Sequence, residues 1–217
     1  MSLETRLRFL KQYIRHPARV GAVAPSSRTL AAAVCGPLRR HAGPAHILEV
    51  GAGTGAITKY LGTILGPEDR LDINEISHEF ADILERDVLS SREFAPALRE
   101  GRVRVLRMPV QQIPADQKYD FVISGLPLTA FSLKDVQDVI SVIQRVLKPG
   151  GVFSYYEYIG ARKASIVFSP SEKRDHRRQV SGFLTENIRR HQYDKQVVLR
   201  NIPPAHARHL RFASAAV

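Results

Sequence analysis

Three glycines at alternate positions, Gly51, Gly53 and Gly55, separate an apolar run, HILEV at 46–50, from a helix-period pattern carried by Ile57, Tyr60, Leu61 and Ile64. A turn of this composition bends tightly and presents backbone without Cβ atoms, so a ligand can lie directly against it. Two carboxylates are spaced to serve the same turn. Glu49 lies two residues before Gly51, and Glu75 lies 20 residues after Gly55, at the end of the next predicted strand. A carboxylate at the tip of that second strand can accept hydrogen bonds from both hydroxyls of a ribose. Glu75 is preferred over Asp72, which lies nearer the strand's middle. An ordinary strand-to-helix turn also uses glycine. Dinucleotide-binding turns run G-x-G-x-x-G, whereas here Ala56 holds the place of the third glycine and Gly55 comes one residue early.

The elements that must position these residues alternate. RLDINEIS reads as a strand, followed by a helix carrying Phe80, Ile83, Leu84 and Val88. RVRVLRM and YDFVISGLP are further strands, the second stopping at Gly125-Leu126-Pro127. Val136, Val139, Ile140, Ile143 and Leu147 form a helix stripe that ends at Lys148-Pro149-Gly150-Gly151, and VFSYYEYI is the next strand. Residues 172–192 read as helix, with QVVLRNI and HLRFASAAV as a closing hairpin. Strand–helix alternation from 46 to about 158 predicts an α/β fold with a doubly wound parallel sheet and helices on both faces. Ser26 or Ser27 can cap a preceding helix that runs to about Val34.

The chain of 217 residues is 44% hydrophobic, enough for one packed domain and too much for a disordered one. No apolar run is long enough to span a bilayer. MSLETRLRFLKQ lacks the apolar stretch of a secretory signal, which predicts a cytoplasmic protein. A single cysteine excludes an internal disulfide framework and a cysteine-based zinc site, and the eight scattered histidines show no metal-ligand spacing. The net charge of +11 is concentrated in residues 1–20 and 161–200; the latter segment holds ten basic side chains against four acidic. A surface of this kind meets nucleic acid or an acidic membrane leaflet. Leu3, Leu7, Leu10 and Ile14 place an apolar stripe on an amphipathic amino-terminal helix flanked by Arg6, Arg8, Lys11 and Arg15.

ILEVGAGTGAITKYL closely resembles motif I of the class I S-adenosylmethionine-dependent methyltransferases, and LKPGG resembles the turn before their fifth strand. The resemblance covers roughly residues 45–160 and implies a Rossmann-like sheet with S-adenosyl-L-methionine as cofactor. It places Glu49 near the cofactor's methionine end and Glu75 at the ribose. It also implies backbone contacts from Gly51, Ala52, Gly53 and Gly55, and neighbours in Ile76, Pro109, Val110 and Ser124. Where many members carry Gly-Asp-Ala after the third strand, this chain has Met108-Pro109-Val110, so backbone or water must read the adenine edge. Ser26 and Ser27 are expected in the loop that leans on the cofactor.

Ribosomal RNA adenine dimethyltransferases share an EVGAGTGAIT-like motif. Their Asn-x-Pro-aromatic motif is replaced here by Ser124-Gly125-Leu126-Pro127-Leu128, which removes both an acceptor and a stacking platform for a base. Nucleic acid is therefore disfavoured as a partner; RNA adenine methylation and a non-catalytic nucleic-acid-binding protein on the same fold stand as the alternatives. The fuller set, FLKQYIRHPARVGAVAPSSRTLA, ISGLPLTAFS and NIPPAHA, resembles bacterial phospholipid N-methyltransferases. That resemblance implies conversion of phosphatidylethanolamine towards phosphatidylcholine by a peripheral protein on the inner membrane surface, with anionic phospholipids as partners. It divides the chain into a membrane-contacting unit at 1–35 and a methyltransferase domain at 36–217. On this reading the carbonyls of Ser124, Gly125 and Leu126 accept from the substrate amine, and Tyr158, near the end of the fifth strand, relays the proton. Pro127 and Tyr156 contact the headgroup, and Tyr13, Arg15, His16 and Arg162 are candidate donors to its phosphate.

Overall fold

The computed structural model describes residues 27–212. The segment expected as an amphipathic amino-terminal helix, and with it Tyr13, Arg15, His16 and Ser26, lies outside the described residues.

The sheet has seven strands in the order β3-β2-β1-β4-β5-β7-β6. β1 (His46–Val50), β2 (Arg70–Asn74), β3 (Val103–Leu106), β4 (Tyr119–Ser124) and β5 (Leu147–Tyr158) are parallel, and β7 (Ala205–Leu210) is antiparallel to both β5 and β6 (Gln192–Val198). β1 and β4 are central, covered on both faces, which explains their near-continuous apolar sequences. The predicted doubly wound α/β sheet is the observed one.

Helices cover each face of the sheet. On one side α1 (Arg28–Val34), α3 (Ala56–Gly62) and a helix that runs as α4 (His78–Ile83) into a π-helical stretch (Leu84–Leu89) pack over Ile47, Leu71, Ile73 and Ile123. On the other, α6 (Leu133–Val146) and α8 (Ser171–His191) pack over Leu48, Val122 and Phe153. α6 forms where the stripe of Val136, Val139, Ile140 and Ile143 demands it, and Ser132 caps it by accepting from the Asp135 amide. Leu30 and Ala31 of α1 are fully buried, so residues 28–34, grouped on sequence with the amino-terminal unit, belong to the core of the sheet domain.

Three short helices were not expected from the sequence: α2 (Gly36–Arg39), α5 (Ala95–Arg99) and α7 (Ala161–Val167). β5 starts at Leu147 and runs through the Lys148–Gly151 segment expected as a turn, with a register irregularity opposite Tyr119 and Phe121. The closing hairpin is displaced towards the amino end of each expected strand. Pro203 and Pro204 have no N–H to give a ladder, so they fall in the connection and both strands form outside it.

Asp72, in mid-strand, is structural. It is almost fully buried and accepts from the Arg104 guanidinium and from the Tyr119 hydroxyl at 2.7 Å, with the His46 ring at 3.4 Å. Burial would raise its pKa, but these donors outweigh it and hold the carboxyl well below the ordinary range. The folded value lies below the unfolded one, so this stabilisation is present at neutral pH and is lost as the pH falls below about 4. Asp72→Asn is expected to cost about 3 kcal/mol in urea unfolding at pH 7, and less at pH 3. Equal effects at both values would refute the assignment.

Candidate active site

The candidate site lies at the carboxyl edge of the parallel strands, where β1, β2 and β4 deliver their loops. The amides of Gly51 and Ala52 donate to the Asn74 carbonyl at 2.9 and 3.3 Å, which ties the glycine turn to the end of β2. Gly51 adopts φ +71°, and a Cβ there would lie 2.3 Å from the Leu126 side chain. A Cβ on Gly125 would lie 2.6 Å from the Gly51 carbonyl oxygen. The loops after β1 and β4 therefore touch backbone to backbone, an approach that only glycine permits.

Glu75 is buried beside this turn. One carboxylate oxygen accepts from the Gly53 amide and the other from the Ser77 amide, both at 2.8 Å. Burial raises its pKa against these hydrogen bonds and that of the Ile76 amide. Glu49 is fully buried; Oε2 accepts from the Thr58 hydroxyl at 2.7 Å, and burial is the main cause of a pKa pushed up to about 8. Two buried polar atoms here have no hydrogen-bond partner among the described residues, Glu49 Oε1 and Ser77 Oγ. An acceptor orphaned in a buried pocket favours a cationic or donor group from outside the chain.

Asn74 does further work that the sequence did not disclose. Its side-chain amide donates to the carbonyls of Leu106 and Met108, at 3.3 and 2.7 Å. This draws the Pro109-Val110 segment towards the end of β2 and the glycine turn. Only its position as the last residue of β2 marked it. Ser124 is fully buried, and its hydroxyl accepts from the Leu126 amide at 3.2 Å, fixing the turn after β4. Ser27 caps α1 by accepting from the Leu30 amide, and its own amide donates to Asn201. Its hydroxyl is thus occupied in capping.

A cleft of about 440 Å³ opens beside β4 and β5. Leu126, Pro127 and Leu128 form one wall and Tyr155, Tyr156, Glu157 and Tyr158 another, with α7 and Arg177 of α8 at the far side. Tyr156 and Tyr158 contact edge to face with ring centroids 5.6 Å apart. The expected residues Ser124, Gly125, Leu126, Pro127, Tyr156 and Tyr158 are thereby gathered around one end of the sheet. Arg162 is placed differently. Its guanidinium donates to Glu157 at 2.6 Å and to the Thr185 hydroxyl at 2.8 Å, so that end of the side chain is engaged within the chain.

A family model described as a methyltransferase domain matches residues 47–151. The ornithine lipid N-methyltransferase of Singulisphaera acidiphila is 32% identical over 146 residues, covering 67% of this chain and 74% of that protein. The chain belongs to the class I S-adenosylmethionine-dependent methyltransferases. Its cofactor is S-adenosylmethionine. Solved structures agree on the fold of this methyltransferase. The Burkholderia thailandensis 1,6-didemethyltoxoflavin N1-methyltransferase, 20% identical, superposes with a TM-score of 0.59 over 97% of this chain and 88% of that one. The N-methyltransferase NodS of Bradyrhizobium japonicum, 14% identical and complexed with S-adenosylhomocysteine, gives 0.53 over 85% and 84%.

Proposed function

We propose that this methyltransferase acts on the primary amine of a membrane-lipid headgroup, taking phosphatidylethanolamine and its mono- and dimethyl forms towards phosphatidylcholine. The observation that carries the reading is the tyrosine-walled cleft opening at the carboxyl edge among exposed apolar side chains. Val167 and Phe168 at the end of α7 are 62% and 85% exposed. Leu199 and Ile202, in the β6–β7 connection, are 72% and 76% exposed. The bond from the Ile159 amide to the Pro204 carbonyl holds that connection against the end of β5. Lys163 stands in α7, Lys173 and Arg174 in the first turn of α8, and Arg200 in the β6–β7 connection. Apolar tips among cations suit an anionic bilayer. The lipid substrate named for the Singulisphaera relative supports N-methylation of a lipid amine. No helix among the described residues is long and apolar enough to cross a membrane, so the contact is peripheral in this proposal.

The residues divide the work. Glu49, with its unpartnered oxygen, would hold the cofactor's ammonium, and Glu75, beside the Gly53 amide, would hold the ribose hydroxyls. Gly51, Ala52, Gly53 and Gly55 would give backbone surface, while Ile76, Pro109, Val110 and Ser124 would surround the remainder. When bound, the cofactor supplies an electrophilic methyl group on a sulfonium. The protein aligns the nucleophile and presents it as a neutral amine. The carbonyls of Ser124, Gly125 and Leu126 would accept the N–H bonds of the primary and monomethyl amines and so aim the lone pair. Tyr158 passes the released proton outwards, and Tyr156 and Pro127 pack against the headgroup.

Incubation of the protein with S-adenosylmethionine and phosphatidylethanolamine vesicles should yield mono-, di- and trimethylated lipid. Methyl transfer to ribosomal RNA with none to lipid would overturn the reading. Phe168→Asp removes the most exposed large apolar side chain among the described residues and is expected to weaken sedimentation with anionic vesicles about tenfold or more. Unchanged sedimentation would remove α7 from the membrane contact.

A further inference from the structure

Among the described residues that line the cleft, Arg177 carries the only cationic side chain. It projects from α8 beneath the turn after β4, where one guanidinium N–H donates to the Thr129 carbonyl at 2.9 Å. No carboxylate pairs with it among the described residues. Burial pulls its pKa below the usual guanidinium value, and no anion opposes that shift. This contrasts with Arg162 and Arg208, which flank Glu157 at 2.6 and 3.8 Å. The remaining N–H donors of Arg177 have no hydrogen-bond partner among the described residues and are open to solvent, so a ligand in the cleft can use them. Its planar fork matches two oxygens of a phosphodiester or a carboxylate.

We infer that Arg177 is the headgroup-anion subsite of this cleft, binding the phosphodiester or carboxylate that accompanies the reactive amine; the lipid identity rests on the function proposed above. The subsite selects lipids that carry an anion a few bonds from the amine and disfavours amphiphilic amines that carry none. The anion is unchanged by methylation. One subsite therefore holds the primary amine and its mono- and dimethyl forms alike, while the nitrogen end changes in size.

The test measures binding and turnover in the full chain. Glycerophosphoethanolamine, a short-chain N-acyl ornithine and sphingosine are titrated into wild type, Arg177→Gln and Arg177→Lys with S-adenosylhomocysteine present. Vesicle methylation is followed in parallel. Arg177→Gln is expected to weaken both anionic ligands at least tenfold and to raise KM for phosphatidylethanolamine with little change in kcat. Arg177→Lys should recover part of the loss, and sphingosine should bind all three proteins equally. A preference for glycerophosphoethanolamine or for the acyl ornithine identifies the phosphodiester or the carboxylate as the anion. Equal losses for sphingosine would reduce Arg177 to holding the Thr129 turn and overturn the inference, as would absence of headgroup binding in wild type. Methylation of phosphatidylethanolamine with KM unchanged in Arg177→Gln sinks the subsite and leaves the function standing. Arg177-dependent headgroup binding with no lipid methylated does the reverse.

Discussion

Replacing Glu49 by glutamine is expected to abolish a proton release that accompanies cofactor binding. In the cofactor-free protein the Glu49 carboxyl titrates near 8, chiefly because it is fully buried, so at pH 7 it is mostly protonated. Only the carboxylate attracts a cationic ammonium strongly. Binding must therefore expel close to one proton at pH 7, and affinity should rise by nearly tenfold per unit between pH 6 and 7.5. Calorimetry of S-adenosylhomocysteine binding in buffers of differing ionisation enthalpy reads this directly. Glu49→Gln should bind about 100-fold more weakly near pH 8, on the scale of a broken buried charge pair, with little pH dependence. A buffer-independent heat in wild type would refute the role. The same group affects stability with the opposite sign to Asp72. Its folded pKa exceeds the unfolded one, so the unbound protein loses stability as the pH rises from about 4.5 through about 8. In that window Glu49→Gln is expected to stabilise the cofactor-free protein while weakening binding, a combination that a mere packing defect would not produce.

Gly125→Ala is the second substitution with a large expected effect. The added methyl would sit 2.6 Å from the Gly51 carbonyl oxygen, closer than real Cβ contacts come, and the obstruction is backbone rather than a side chain that can swing away. Relief requires the loop after β4 to move off the loop after β1. That displaces the acceptor carbonyls from the cofactor turn together. Misplacement on the scale of an ångström costs about 100-fold in rate for a reaction that depends on alignment. The expected result is loss of activity by that factor or more, with weakened cofactor affinity and a Tm lowered by several degrees. Gly182→Ala is the control. Its Cβ would point into open space on α8, and the better helix former should stabilise by about 0.5–1 kcal/mol with full activity. Full activity in Gly125→Ala would show that the two loops do not act as one unit.

Much of this architecture is legible in the residues because apolar periodicity and glycine turns are local signals. HILEV, RLDIN and YDFVIS read as buried strands, and the α6 stripe as a helix, because each carries its own pattern. The preference for Glu75 over Asp72 follows from position along one strand, and the structure gives Asp72 a set of partners from neighbouring strands. What the sequence hides are the interactions that cross between distant segments. The hold of Asn74 on Leu106 and Met108, the pairing of Arg162 with Glu157, and the exposure of Arg177 to the cleft all depend on tertiary placement. The short α7 leaves no apolar stripe to read because none of its residues is buried. The hairpin boundaries moved because a paired proline lacks donors, a constraint that outweighs the β-propensity of the flanking residues.

The adjoining Asn74 and Glu75 join the glycine turn, the start of α4 and the segment after β3 through hydrogen bonds that the chain makes by itself. On the proposed reading, the entropy lost in ordering this receptor is spent during folding, before any nucleoside arrives. Such a pocket behaves as a mould rather than a clamp, and its durability is that of the central sheet to which its walls are fastened.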